Sequence, residues 1–361
     1  IAKGIIAPES MGNATTFIWA MMSALLAAAF WVNLATWVGA PVSTTHSVVG
    51  GVMGAGIAAA GFAAVNWPTM GAIAASWVIS PLLGGLIAAG FLALIKSRII
   101  YQDDKIAAAR KWVPILVGIM GGTFTAYLAL KGLKSLFKID LPTALLIGAV
   151  IGTAIWAVMI PVIKKQSQGL ENRNKSLKVL FGIPLVVSAA LLSFAHGAND
   201  VANAVGPLAA IVQAAQSGDF VSAFSIPLWV MVIGALGISF GLFLFGPKLI
   251  RLVGSQITKL NPMRAYCVAL SAAITVIVAS WLGLPVSSTH IAVGAVFGVG
   301  FFREWDAERR IKNARLAMPD RTVYAPEERR RRKLVRRSHF MTIIAAWVVT
   351  VPAAALLSAC F

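Results

Sequence analysis

The chain has 361 residues, 58% of them hydrophobic and 12% charged, with a mean hydropathy of +0.82 and a formal charge of +18. A soluble core of this size does not need so much apolar side chain, whereas a lipid-facing surface does. Strict polar–apolar alternation is absent, which argues against a membrane β-barrel and leaves an all-α integral membrane protein with many passes.

Taken in chain order, the apolar runs without a charge are Phe17–Leu34, Val113–Leu130, Leu141–Ile163, Ile226–Gly246 and Phe340–Phe361. Each is long enough to cross roughly 30 Å of hydrocarbon at about 1.5 Å per residue. Thr69–Ile95, Val179–Ala214 and Ala265–Phe302 add further spans, with a break expected near Gly197 in the second of these. Of the 31 Lys and Arg, 27 fall in four segments: Lys96–Lys111, Lys164–Lys178, Lys248–Arg264 and Arg303–Arg337. The positive-inside rule makes these four cytoplasmic. Asn66-Trp67-Pro68 and the loop Ala215–Ser225 then lie outside, and Ala265–Phe302 starts and ends inside as a hairpin. Lys131, Lys134 and Lys138 fall on an outside loop, against the rule. The run Arg329–Lys333 reads as part of a topology-setting loop rather than a nucleic-acid contact. Cys267 and Cys360 sit in apolar surroundings and imply no disulfide framework. The chain opens with Ile1 and shows no cleavable signal, so an N-terminal piece is expected to be missing.

One motif occurs twice. TWVGAPVSTTH from Thr36 to His46 matches SWLGLPVSSTH from Ser280 to His290, and the match continues through Gly50 and Gly294, Gly54 and Gly298, and Gly56 and Gly300, always 244 residues apart. A weaker echo sets Trp77–Pro81 against Trp347–Pro352. The second copy lies in a hairpin opening to the cytoplasm and the first in one opening outward. Inverted-topology repeats with broken or re-entrant helices around a midplane site are a recurring plan of secondary transporters.

In both copies Gly-x-Pro interrupts an apolar helix and a Ser follows, a strong N-cap. New half-helices are expected to start at Ser43 and Ser287, offering free amides, a positive dipole end and hydroxyls to an anion. The third motif runs from Ser193 to Pro207, where Asp200 alone of the thirteen acidic residues lies in a spanning segment. An intramembrane carboxylate is costly enough to be functional by default. Asn199 and Asn203 stand beside it one turn apart, and Gly197 gives the backbone freedom to unwind. Such oxygen ligands suit Na⁺ or a protonatable carboxyl. His46, His196 and His290 are candidates for proton or substrate contacts, or else packed helix-start residues. No close His pair on one helix face suggests a metal site. An anion cradle beside a carboxylate, with no Lys or Arg at membrane depth, points to cation-coupled anion symport.

These residues resemble the inorganic phosphate transporter (PiT) family. Its hallmark Gly-Ala-Asn-Asp-x-Ala-Asn motif is present as Gly197–Asn203, and its paired Pro-x-Ser-[Ser/Thr]-[Ser/Thr]-His segments are matched by Pro41–His46 and Pro285–His290. The family carries the first motif twice and this sequence once, which is read as truncation. The resemblance implies phosphate contacts at Ser43, Thr44, Thr45, Ser287, Ser288, Thr289 and Asn203, and coupling-ion contacts at Asp200, Asn199 and Asn203. It implies no enzyme activity and no cofactor beyond co-transported Na⁺ or H⁺. The expected partners are inorganic phosphate, free or as a metal–phosphate complex, membrane lipid and a second copy in a homodimer, but no nucleic acid. The expected location is a bacterial inner membrane. The domain reading is a first repeat at residues 1–163, a short cytoplasmic connector at 164–178 and a second, inverted repeat at 179–361 carrying the basic loop 303–339. A sulfate permease of the same fold and, behind it, an intramembrane hydrolase are the competing readings.

Overall fold

In lipid every backbone amide must find its partner within the chain, and a helix does this locally. The computed structural model describes residues 2–40, 42–131, 139–218, 226–256, 260–284, 286–317 and 337–361. Its helices are α1 (Ala2–Ile5), α2 (Ala14–Val38), α3 (Thr44–Ala60), α4 (Trp67–Ile95), α5 (Lys105–Lys131), α6 (Leu141–Gln166), α7 (Asn174–Leu180), α8 (Gly182–Ser217), α9 (Leu228–Gln256), α10 (Pro262–Trp281), α11 (Ser288–Ala317) and α12 (Arg337–Cys360). Among the described residues the only β pairing is an isolated bridge between Ile6 and Val65. Among the described residues, eight helices are long and apolar enough to cross a membrane: α2, α4, α5, α6, α8, α9, α10 and α12. Large apolar side chains such as Trp19, Leu86, Leu146, Phe243 and Leu356 stand exposed on them, as a lipid-facing surface requires.

Two helical hairpins organise the site. The base of α2–α3 lies beside the start of α4, where the amide of Asn66 donates to Ile5 O and that of Ala7 donates to Ala64 O. The base of α10–α11 lies at the other end of α4, where Lys96 pairs with Asp306 of α11 at 2.6 Å. A 29-residue helix, about 44 Å long, separates the two bases. Beside them α5 and α6 form a tight pair. Gly118 and Gly122 of α5 lie against the backbone of Gly152 and Gly148 of α6, so small residues let the helix axes approach closely.

The expected break near Gly197 is absent: α8 runs continuously from Gly182 to Ser217, and Gly197 has no positive φ. A single glycine costs a helix only about 1 kcal/mol relative to Ala, and no proline follows until Pro207 to disturb the ladder. Nothing lies within 4 Å of the position a Cβ would take on Gly197. Gly197→Ala is therefore expected to stabilise the protein by up to about 1 kcal/mol, read as a small rise in its thermal unfolding midpoint. Pro41, Pro285, Lys134, Lys138, Asp219 and the run Arg329–Lys333 lie outside the described residues. Lys131 ends α5.

Candidate functional site

The two copies of the repeated motif fold alike through their turns. Gly39 (φ 83°) ends α2 and Gly283 (φ 72°) follows α10, both with left-handed backbone that a side chain would strain. After each glycine the next amide bonds five residues back, Ala40 to Ala35 O and Leu284 to Ala279 O. The chain then restarts as a helix. Ser43 Oγ accepts from the amide of His46 and Ser287 Oγ from that of His290, both at 3.2 Å. A hydroxyl acting as a cap acceptor still has its own proton to donate. The amides of Thr44 and Thr45, and of Ser288 and Thr289, belong to first turns that provide no intrahelical partner.

The tips of both hairpins meet on α8. Thr45 Oγ1 donates to Val286 O of the other copy at 3.2 Å, and Asn199 Nδ2 donates to the same carbonyl at 3.0 Å. Asn203, one helical turn beyond Asn199, donates to Thr45 Oγ1 at 3.0 Å. Asp200 lies between the two asparagines and is only 8% exposed. Its carboxylate accepts from Asn199 Nδ2 (2.8 Å), Ser288 Oγ (2.9 Å) and His196 Nε2 (2.8 Å). A buried carboxylate without such donors would be prohibitively costly. Asn199 and Asp200 thus hold the second copy while Asn203 holds the first.

Below the caps, His46 and His290 pack edge to face with ring centroids 4.2 Å apart. Trp77 of α4 covers His46 at 3.8 Å and Trp347 of α12 stacks on His290 at 3.7 Å. The backbones then cross over. Gly50 and Gly54 of α3 lie against Val351 and Ala355 of α12, while Gly294 and Gly298 of α11 lie against Pro81 and Gly85 of α4. Shifting the first-copy residues by 244 and the α4 residues by 270 turns one set of contacts into the other.

Of the residues singled out from sequence, Ser43, Thr45, Ser287, Ser288, Asn199, Asp200 and Asn203 come together in this cluster. Thr44 is exposed, Thr289 is half-buried, and neither side chain bonds to the others. His196 joins the cluster through Asp200, whereas His46 and His290 lie in the aromatic stack. Sequence reasoning missed three participants: the Val286 carbonyl, which accepts two side-chain donors, and Trp77 and Trp347. The tryptophan echo was the available signal, but nothing local tied it to the histidines.

The whole chain is similar to known proteins. The family description "Phosphate transporter family" matches residues 1–358. The chain belongs to that family. This phosphate transporter is 46% identical over 409 residues to a Helicobacter pylori protein that bears a phosphate permease name, covering 98% of this chain and 76% of that one. It is 34% identical to "Inorganic phosphate transporter 2-1, chloroplastic" of Arabidopsis thaliana, covering 99% of this chain and 60% of that one. A solved structure described as "The sodium-dependent phosphate transporter" superposes with a TM-score of 0.86 at 34% identity, over 99% of this chain and 82% of the other. The transporter is therefore a multi-pass membrane protein and not an enzyme.

Proposed function

We propose that the protein is a symporter that carries phosphate together with a cation through the cluster around Asp200. The convergence of two Ser-capped helix starts on one buried carboxylate carries this reading. Helix starts with free amides and hydroxyls attract a tetrahedral oxyanion. Beside them the Asp200 carboxylate, the Val286 carbonyl and the Thr45 and Ser288 hydroxyls form the oxygen-rich set that a hard cation prefers. In this reading Ser43, Thr44, Thr45, Ser287, Ser288, Thr289 and Asn203 take phosphate, and Asp200, Asn199 and Asn203 take the coupling ion. His196 is the group placed to exchange a proton with Asp200. Na⁺ is favoured over H⁺ by the oxygen set and by the sodium dependence of the phosphate transporter whose structure superposes on this one.

The exchange of contacts between the two copies supports an inverted repeat. One hairpin has its base at the start of α4, the other at its end, and their tips touch. Such an arrangement lets two half-sites rock about one fixed centre.

Uptake of labelled phosphate into proteoliposomes under imposed Na⁺ or pH gradients tests the proposal. Concentrative uptake driven by a Na⁺ gradient, and insensitive to excess sulfate, is the expected result. Equal uptake with no gradient of either ion would overturn it. Ser43→Ala and Ser287→Ala should each raise KM roughly tenfold, since a hydrogen bond to a charged group contributes about 1.5–3 kcal/mol. Loss of all activity at one serine with none at the other would contradict a shared cradle.

A further inference from the structure

Far from the Asp200 cluster, the Lys/Arg-rich side of the protein holds a second place built for an anion. Lys96 at the end of α4, Lys175 and Lys178 of α7, and Arg264 of α10 line one cavity of about 420 Å³. Asn174 and Asn261 contribute amide groups to its wall, and Leu92, Ile100 and Met263 form an apolar side. No acidic side chain lines it among the described residues. Lys96 is neutralised from behind by Asp306, which also accepts from Tyr101. Burial, and then repulsion from Arg264, push the guanidinium of Arg303 down to about 10, with Glu304 acting in the opposite direction.

Three other cations on this side lie over aromatic faces. Arg98 lies over Trp112, Arg309 over Trp305 and Arg310 over Tyr101. Those of α7 face the cavity instead. Leu177 and Leu180 are buried, which fixes the short helix against the bundle and leaves Lys175 and Lys178 on its exposed face at the cavity mouth. Ammonium groups, a guanidinium and two amides around a hollow with an apolar side match a phosphate group presented at a membrane boundary.

We propose that the cavity between α4, α7 and α10 binds a phosphate group, carried either by an anionic phospholipid or by free inorganic phosphate, at a site separate from the transport pathway. The lipid source matches the apolar side, against which the start of an acyl chain would lie. The free-ion source would make the cavity a sensor of phosphate on the basic side of the membrane.

Two probes separate the sources. Native mass spectrometry of the purified full chain, mixed with dioleoyl phosphatidylglycerol or with dioleoyl phosphatidylcholine, reads lipid retention. Thermal unfolding in added inorganic phosphate, with chloride as the control anion, reads the free ion. If the source is lipid, phosphatidylglycerol is retained over phosphatidylcholine, and Lys175→Gln/Lys178→Gln lowers retention at least fivefold. If the source is free phosphate, the same double variant loses at least half of the phosphate-induced rise in the unfolding midpoint. Arg264→Gln should act in the same direction in whichever arm responds. Both lysines are exposed and the buried leucines of α7 are kept, so the double variant folds. Unchanged behaviour of both variants in both arms overturns the proposal. Gradient-driven phosphate uptake by the lysine double variant should persist, which keeps this test distinct from that of the symport reading.

Discussion

Asp200→Asn should reduce cation-driven phosphate uptake at least a hundredfold while leaving a folded protein. The two side chains are nearly the same shape, so Asn can still accept from Ser288 and His196, and the packing of α8 against both tips is kept. What disappears is the charge. Two unit charges about 4 Å apart attract by about 4 kcal/mol at an effective dielectric near 20, which is worth nearly a thousandfold in binding. Losing one neutral hydrogen bond costs only about 1 kcal/mol, so the electrostatic term decides the outcome. On the proposed symport, the coupling ion then has no reason to enter, and the phosphate proposed to bind beside it loses its counter-charge. The check is labelled phosphate uptake in proteoliposomes, with size-exclusion chromatography confirming a monodisperse protein. Wild-type uptake by Asp200→Asn would remove the carboxylate from the mechanism.

The parts of this design that depend on neighbouring residues could be read from sequence. The restart at Ser43 and Ser287 follows from the Gly-x-Pro-x-Ser order, and the spans follow from composition. The placement of Asn203 one turn from Asn199 follows from helical period, and it does put one residue on each hairpin tip. The break near Gly197 failed because a glycine only permits unwinding. With helix-forming neighbours, the full 36-residue α8 keeps its ladder. The stack of Trp77, His46, His290 and Trp347 joins residues from four helices, and no local periodicity encodes it. Backbone contacts join the two halves that the sequence reading divides at residues 163 and 179. Helix α3 of the first half lies against α12 of the second, and α4 lies against α11. Only the matched spacing of glycines hinted at this crossing, and the partners of those glycines are invisible until the helices are placed.

That crossing leads to the second large effect. Gly54→Ala and Gly298→Ala should each deplete the folded protein, and by similar amounts. A methyl group on Gly54 would collide with the carbonyl of Ala355, and one on Gly298 with the backbone of Gly85. Neither obstacle is a flexible side chain that can swing away. Overpacking of a tight core typically costs about 1–3 kcal/mol, and a rigid backbone on the far side places these two at the upper end. Gly90→Ala is the control, because it lies in the same kind of helix with nothing within 4 Å of the new carbon, and should be neutral or slightly stabilising. Thermal unfolding in detergent, with the yield of monodisperse protein, measures all three. The matched pair matters more than either loss. If the two glycines are equivalent under one pseudo-two-fold axis, their penalties should agree within about 1 kcal/mol, because the geometry each destroys is the same. A tolerant Gly54 beside an intolerant Gly298 would mean that the halves merely resemble each other in sequence. It would also remove the mechanical basis for two helix starts acting on one Asp200.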